Sequence, residues 1–159
     1  MSMKSPRDPS ASLAPLRYGA IELDRCPTTG GVWFDADELY ELTRVMAEGD
    51  DVAASFGGDW PTYGDAAAPG GCPRGHGPLE GFPVPRAEGG TAITLDVCRS
   101  CMGIWVDGAE LLQLREVVLH NRAHGGPPVI EPIPRAGSRA ALHALGWLNP
   151  FEAYRRLRT

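Results

Sequence analysis

The chain has 159 residues, 43% of them hydrophobic, with 20 Gly, 15 Pro and four Cys. That suits one ordinary domain or two very small ones, with a sizeable fraction given to turns or linkers. The net charge of −5 is uneven: through residue 134 there are 10 Lys and Arg against 19 Asp and Glu, whereas from Arg135 onward five Arg face one Glu. An acidic body is repelled by phosphate backbones, and no run approaches the ~18 apolar residues that span a membrane. The start, MSMKSPRDPSASLAPLR, lacks the apolar core of a signal peptide. The chain therefore reads as cytoplasmic, where thiols stay reduced and four Cys point to metal or chemistry rather than disulfides.

Residues 1–15 carry no periodic pattern and are expected to be disordered. From there an internal repeat dominates: a shift of 72 places IELDRCPTTGGVWFDADELYEL (21–42) on ITLDVCRSCMGIWVDGAELLQL (93–114) with ten of 22 positions identical. Chance gives roughly one or two at average composition. Each copy predicts strand, tight turn, strand, helix. ITLDV alternates apolar and polar residues, and GIWV is β-branched and aromatic, as half-buried strands prefer. Asp107 with Glu110 reads as a capping box, and Asp35 with Glu38 repeats it. Leu39, Leu42 and Met46 share one helical face, as do Leu111, Leu114 and Val118, so both stripes are core.

The first copy (16–46) keeps Cys26 but has Thr29 in the second cysteine position. On the same shift the partner of Cys72 would fall at residue 0, so this copy reads as a metal-free half-ribbon packed on the second, with Cys26 a small buried residue. Residues 47–71 are rich in Gly, Ala and Asp and read as an acidic linker, in which Phe56, Trp60 and Tyr63 are unusual. Residues 72–124 form the complete unit. Four prolines make 125–137 extended, and 138–159 reads as short basic amphipathic helices. There Asn149 is a natural cap, and Trp147, Phe151, Tyr154, Arg155, Arg156 and Arg158 are the expected partner-binding residues.

Cys98 and Cys101 lie between two strands, not at the helix N-terminus where redox-active Cys-x-x-Cys pairs sit. Upstream, Cys72 opens a turn, His76 follows four residues later, and a hairpin through Glu88-Gly89-Gly90 brings that turn back beside Cys98. Cys72, His76, Cys98 and Cys101 then make a three-Cys, one-His set suited to one structural zinc with no open coordination position. A Cys2His2 set using His120 and His124 is disfavoured, because at 1.5 Å per residue His120 lies on the order of 20 Å along the helix from Asp107.

At these residues the sequence resembles the bacterial transcription-factor-type zinc finger, named for its likeness to the zinc ribbon of TFIIB. The family pattern is Cys-Pro-x-Cys, a hairpin, then Leu-Asp-x-Cys-x-x-Cys-x-Gly-x-Trp-Leu-Asp-x-Gly-Glu-Leu. Residues 72–114 follow it closely, and 16–46 follow its second half. Gly75 stands where the family has its second Cys, so His76 is assigned from its neighbouring position. The resemblance implies zinc binding and a ribbon fold. The expected fold class is small α+β: two pseudo-repeats of zinc-ribbon β-hairpin and helix, with short C-terminal helices.

No nucleophile–base pair, phosphate loop or open metal site is present in the sequence, so no enzymatic activity is expected. The expected function is a zinc-binding adaptor or regulator that docks a protein partner. The other reading is a nucleic-acid or transcription-complex module, favoured by the Arg-rich end and opposed by the acidic body.

Overall fold

The computed structural model describes residues 2–48, 70–84, 86 and 91–125. Six strands are linked in one antiparallel sheet: β1 (Ala14–Tyr18), β2 (Ile21–Arg25), β3 (Val32–Phe34), β4 (Glu80–Val84), β5 (Ile93–Val97) and β6 (Ile104–Val106), in the order β1-β2-β3-β6-β5-β4. Two helices, α1 (Glu38–Ala47) and α2 (Gly108–Ala123), complete a small α+β fold. The expected linker with Phe56, Trp60 and Tyr63, the Glu88-Gly89-Gly90 turn and everything from 126 onward lie outside the described residues.

The centre of the sheet is the pairing of β3 with β6: Val32↔Val106, Trp33↔Trp105 and Phe34↔Ile104. Both strands are buried along their whole length. Successive side chains point to opposite faces, so Val32 and Phe34 face one side with Ile104 and Val106, while Trp33 and Trp105 face the other. The first side meets the helices: Leu39, Leu42 and Met46 of α1 and Leu111, Leu114 and Val118 of α2 join Leu23 and Leu95 in one core. The two helical stripes thus bury as their spacing predicts, and α1 and α2 pack against each other.

The second side holds Trp33, Trp105, Leu13, Leu79, Cys26, Cys72 and Cys98. Each indole lies over a glycine of the other half: a Cβ on Gly31 would run into the ring of Trp105, and one on Gly103 into the ring of Trp33. Both rings are 0% exposed. Only glycine at these two positions lets the rings close on the backbone. Pro15 and Pro83 sit in the two edge strands, where a missing N–H costs no ladder bond and discourages further strand addition.

The N-terminus departs from the expected disorder over 1–15. Residues 2–13 fold back on the sheet: Lys4 bridges Ser12, the Leu13 N–H donates to the Met3 carbonyl at 2.8 Å, and Ser5 is 2% exposed. Arg7 holds the segment down. Its Nη2 lies 2.6 Å from Asp96 Oδ2 and 2.8 Å from Asp107 Oδ2. The run lacks periodicity because a tight turn, not a helix or a long strand, places it.

Candidate metal centre

Two turns build the site. In the first, the Cys72 N–H donates to the Gly77 carbonyl and the Gly75 N–H to the Cys72 carbonyl, both at 2.8 Å, and Gly71 bridges Pro78. Gly75 and Gly77 hold φ of 78° and 101°, a left-handed conformation in which a side chain is strained. In the second turn, the Cys98 N–H donates to Gly103 O at 2.9 Å and the Met102 N–H to Cys98 O at 2.8 Å. The β4–β5 pairing, with Glu80 opposite Val97, sets the turns side by side.

The result is a cluster of Cys72, His76, Cys98 and Cys101 whose ligand atoms lie within 4.8 Å of one another. Cys72 Sγ lies 3.8 Å from Cys101 Sγ, and His76 Nδ1 lies 3.6 Å from Cys72 Sγ and 3.9 Å from Cys98 Sγ. A tetrahedral zinc with bonds of about 2.3 Å to sulfur and about 2.0–2.1 Å to nitrogen has edges of about 3.8 Å between sulfurs and about 3.6 Å from sulfur to nitrogen. The cluster therefore fits one zinc ion, with His76 presenting Nδ1. Cys72 and Cys98 are buried, Cys101 half-buried, and His76 exposed at the rim. Burial, with the neighbouring Cys98 and Cys72 thiols, pushes the Cys101 thiol up to about 12. Burial pushes Cys98 up as well, but hydrogen bonds from Cys101, Ser100 and Cys72 together outweigh it and hold this thiol below its ordinary value. Such a packed thiol group takes up its negative charge most readily beside a cation.

The chain matches the Transcription factor zinc-finger family, of the TFIIB zinc-ribbon type, over residues 6–45 and 71–117. The chain belongs to this zinc-ribbon family. Comparison with curated proteins and with solved structures finds no match. The family match reaches back to residue 6, ahead of the unit expected over 16–46.

Of the other candidate residues, His120 and His124 lie outside the cluster, in the last turn of α2 and at its C-cap. Their rings stack with centroids 4.2 Å apart, and His124 Nδ1 lies 2.9 Å from the His120 carbonyl. Cys26 is 0% exposed. Trp147, Phe151, Tyr154, Arg155, Arg156 and Arg158 lie outside the described residues.

Sequence reasoning missed the ionic frame around this ribbon. Asp107 accepts Trp105 Nε1 at 2.8 Å and Arg7 Nε at 3.1 Å, while Asp35 accepts Trp33 Nε1 at 3.0 Å and Arg74 Nε at 2.9 Å. Each arginine thus reaches from one half to an aspartate of the other. Asp107 also caps α2 in the expected capping box, its N–H donating to Glu110 Oε2 at 3.0 Å. The first copy differs: α1 starts at Glu38 after Asp37 in a left-handed conformation, φ 75°. Only half of the expected box forms, the Asp35 N–H donating to Glu38 Oε2 at 2.7 Å. The Asp35 carboxylate is committed to Trp33 and Arg74 instead of the helix. Burial lifts both glutamates from an ordinary 4.5 to about 7.

Proposed function

We propose that this zinc-ribbon protein is a non-enzymatic adaptor, two ribbons paired about a pseudo-twofold axis with one structural zinc between Cys72, His76, Cys98 and Cys101. The observation that carries the reading is the cluster of four ligand atoms within 4.8 Å of one another, three of its edges at 3.6–3.9 Å: a zinc held by all four would have no coordination position left for substrate or water. A site of this kind holds a fold together and leaves function to the surface.

The described surface offers little free positive charge to a phosphate backbone. Arg7, Arg17, Arg44, Arg74, Arg86 and Arg99 each pair with a carboxylate. The unmatched basic charge of the chain is concentrated from Arg135 onward. That supports docking of a protein partner through Trp147, Phe151 and Tyr154 with Arg155, Arg156 and Arg158. A second reading, a nucleic-acid or transcription-complex module, is favoured by the description of the family and by the same arginines.

Metal analysis of purified protein should give one zinc per chain, lost in Cys98→Ser and in Cys72→Ser; full retention in Cys72→Ser would refute the ligand set. Retention in His76→Ala would mean that water or another side chain completes the shell. Affinity capture with and without residues 135–159 tests the adaptor reading, which expects capture to require that segment and to survive moderate salt. Binding to nucleic acid that weakens steeply with salt would favour the second reading.

A further inference from the structure

We infer that the N-terminal half carries a metal-free twin of the zinc site, closed by hydroxyl groups, which two substitutions convert into a second zinc site. The backbones of the two sites follow the same pattern, with the N-terminal turn one residue longer than the turn at Cys72. Ser5 N–H donates to Ala11 O at 3.1 Å as Cys72 N–H donates to Gly77 O at 2.8 Å. Leu13 N–H donates to Met3 O at 2.8 Å as Leu79 N–H donates to Gly70 O at 2.9 Å. In the second turn, Cys26 N–H donates to Gly31 O at 2.8 Å, matching Cys98 to Gly103 at 2.9 Å. Gly30 and Met102 hold the same left-handed bend, with φ of 73° and 61°.

The side chains then correspond one for one. Ser5 stands for Cys72, Cys26 for Cys98 and Thr29 for Cys101, and the Asp8 carboxylate reaches the site through the Thr28 hydroxyl. Where the zinc site gathers ligands, this one is stitched by hydrogen bonds. The hydroxyls of Ser5, Thr28 and Thr29 reach the Cys26 sulfur, with Thr28 Oγ1 at 3.2 Å. Thr28 Oγ1 in turn donates to Asp8 Oδ2 at 2.8 Å. The Arg7 and Asp8 N–H groups both donate to Ser5 Oγ at 3.2 Å, the role a turn's amides play toward a knuckle sulfur. Ser5 and Cys26 are as buried as Cys72 and Cys98. One thiol and one carboxylate among hydroxyls offer too few soft donors for zinc, so the wild-type site stays closed without metal.

The Ser5→Cys/Thr29→Cys variant of the full chain supplies the two missing thiols, with Cys26 and Asp8 already in place. Metal analysis and native mass spectrometry after purification with excess zinc should show one more zinc than wild type. Cobalt substitution should double the tetrahedral thiolate absorbance per chain. A variant with unchanged near-ultraviolet circular dichroism that binds no additional metal overturns the inference. A measurement on the wild type stands independently of whether the variant folds. On chelation, a thiol-alkylating reagent should label Cys72, Cys98 and Cys101 while Cys26 stays protected, because hydrogen bonds and not metal hold its turn. Labelling of Cys26 as fast as Cys98 overturns it, as does a wild-type chain that binds two zinc ions.

Discussion

The contrast between Arg7 and Arg74 shows how burial decides the worth of one interaction. Both span the two halves, but the side chains of Arg7 and Asp96 are 11% and 4% exposed, whereas those of Arg74 and Asp35 are 43% and 38% exposed. Removing one partner of a buried pair leaves charges that cannot return to water, a loss of about 3–5 kcal/mol, while an exposed pair is worth about 0–1 kcal/mol. Arg7→Met should therefore lower the urea-unfolding free energy by several-fold more than Arg74→Met; equal effects would mean that Asp96 and Asp107 are solvated in Arg7→Met. Gly103→Ala tests the other residue-scale contact. A methyl group there displaces the Trp33 ring from a filled core, with an expected cost of about 1–3 kcal/mol. The three cysteines and His76 were legible because ligand chemistry restricts which residues serve. Ser5 was not, since a serine in a turn has many ordinary explanations and the shorter β1–β2 hairpin breaks the 72-residue register.

At the scale of elements, strand–turn–strand–helix order and the buried helical stripes were readable from periodicity, because one face of each element must meet the core. Helix starts were half readable. Asp107 serves at once as helix cap, indole acceptor and Arg7 partner, but Asp35 gives up the cap, and a spacing rule cannot tell which demand a carboxylate meets. The glutamates behind these caps make stability depend on pH. Glu38 and Glu110 titrate at about 7 in the folded protein against an ordinary 4.5. Between those values the folded state binds protons that the unfolded state has released, so their contribution is full below 4.5 and is lost as pH rises through 7. Replacing both by Gln keeps a carbonyl acceptor for the Asp35 and Asp107 amides without the titration. The Glu38→Gln/Glu110→Gln variant should gain stability relative to wild type as pH is raised from 5 to 8. A difference that does not change with pH would show that neither carboxylate is desolvated.

For the whole molecule, the sheet order places the seam between halves at the best-buried part of the fold. β3 and β6 pair at the centre, both indoles lie on the glycines of the opposite half, and α1 packs on α2 above them. Among the described residues, the association of the halves rests on this seam. A small ribbon cannot bury its apolar face alone, and each half supplies the missing cover for the other. Trp33→Ala removes one of the two rings and should cost about 3–5 kcal/mol. The sharper test is to place a specific protease site within 49–69 and cut the folded, zinc-loaded protein. The two fragments should elute together in size exclusion at the position of the uncut chain, and should separate only in denaturant. In the Trp33→Ala background the cut fragments should separate at lower denaturant or on dilution, because the tether no longer hides a weakened interface. Immediate separation of the wild-type fragments under native conditions would mean that covalent linkage, not the reciprocal Trp–Gly packing, keeps the ribbons together.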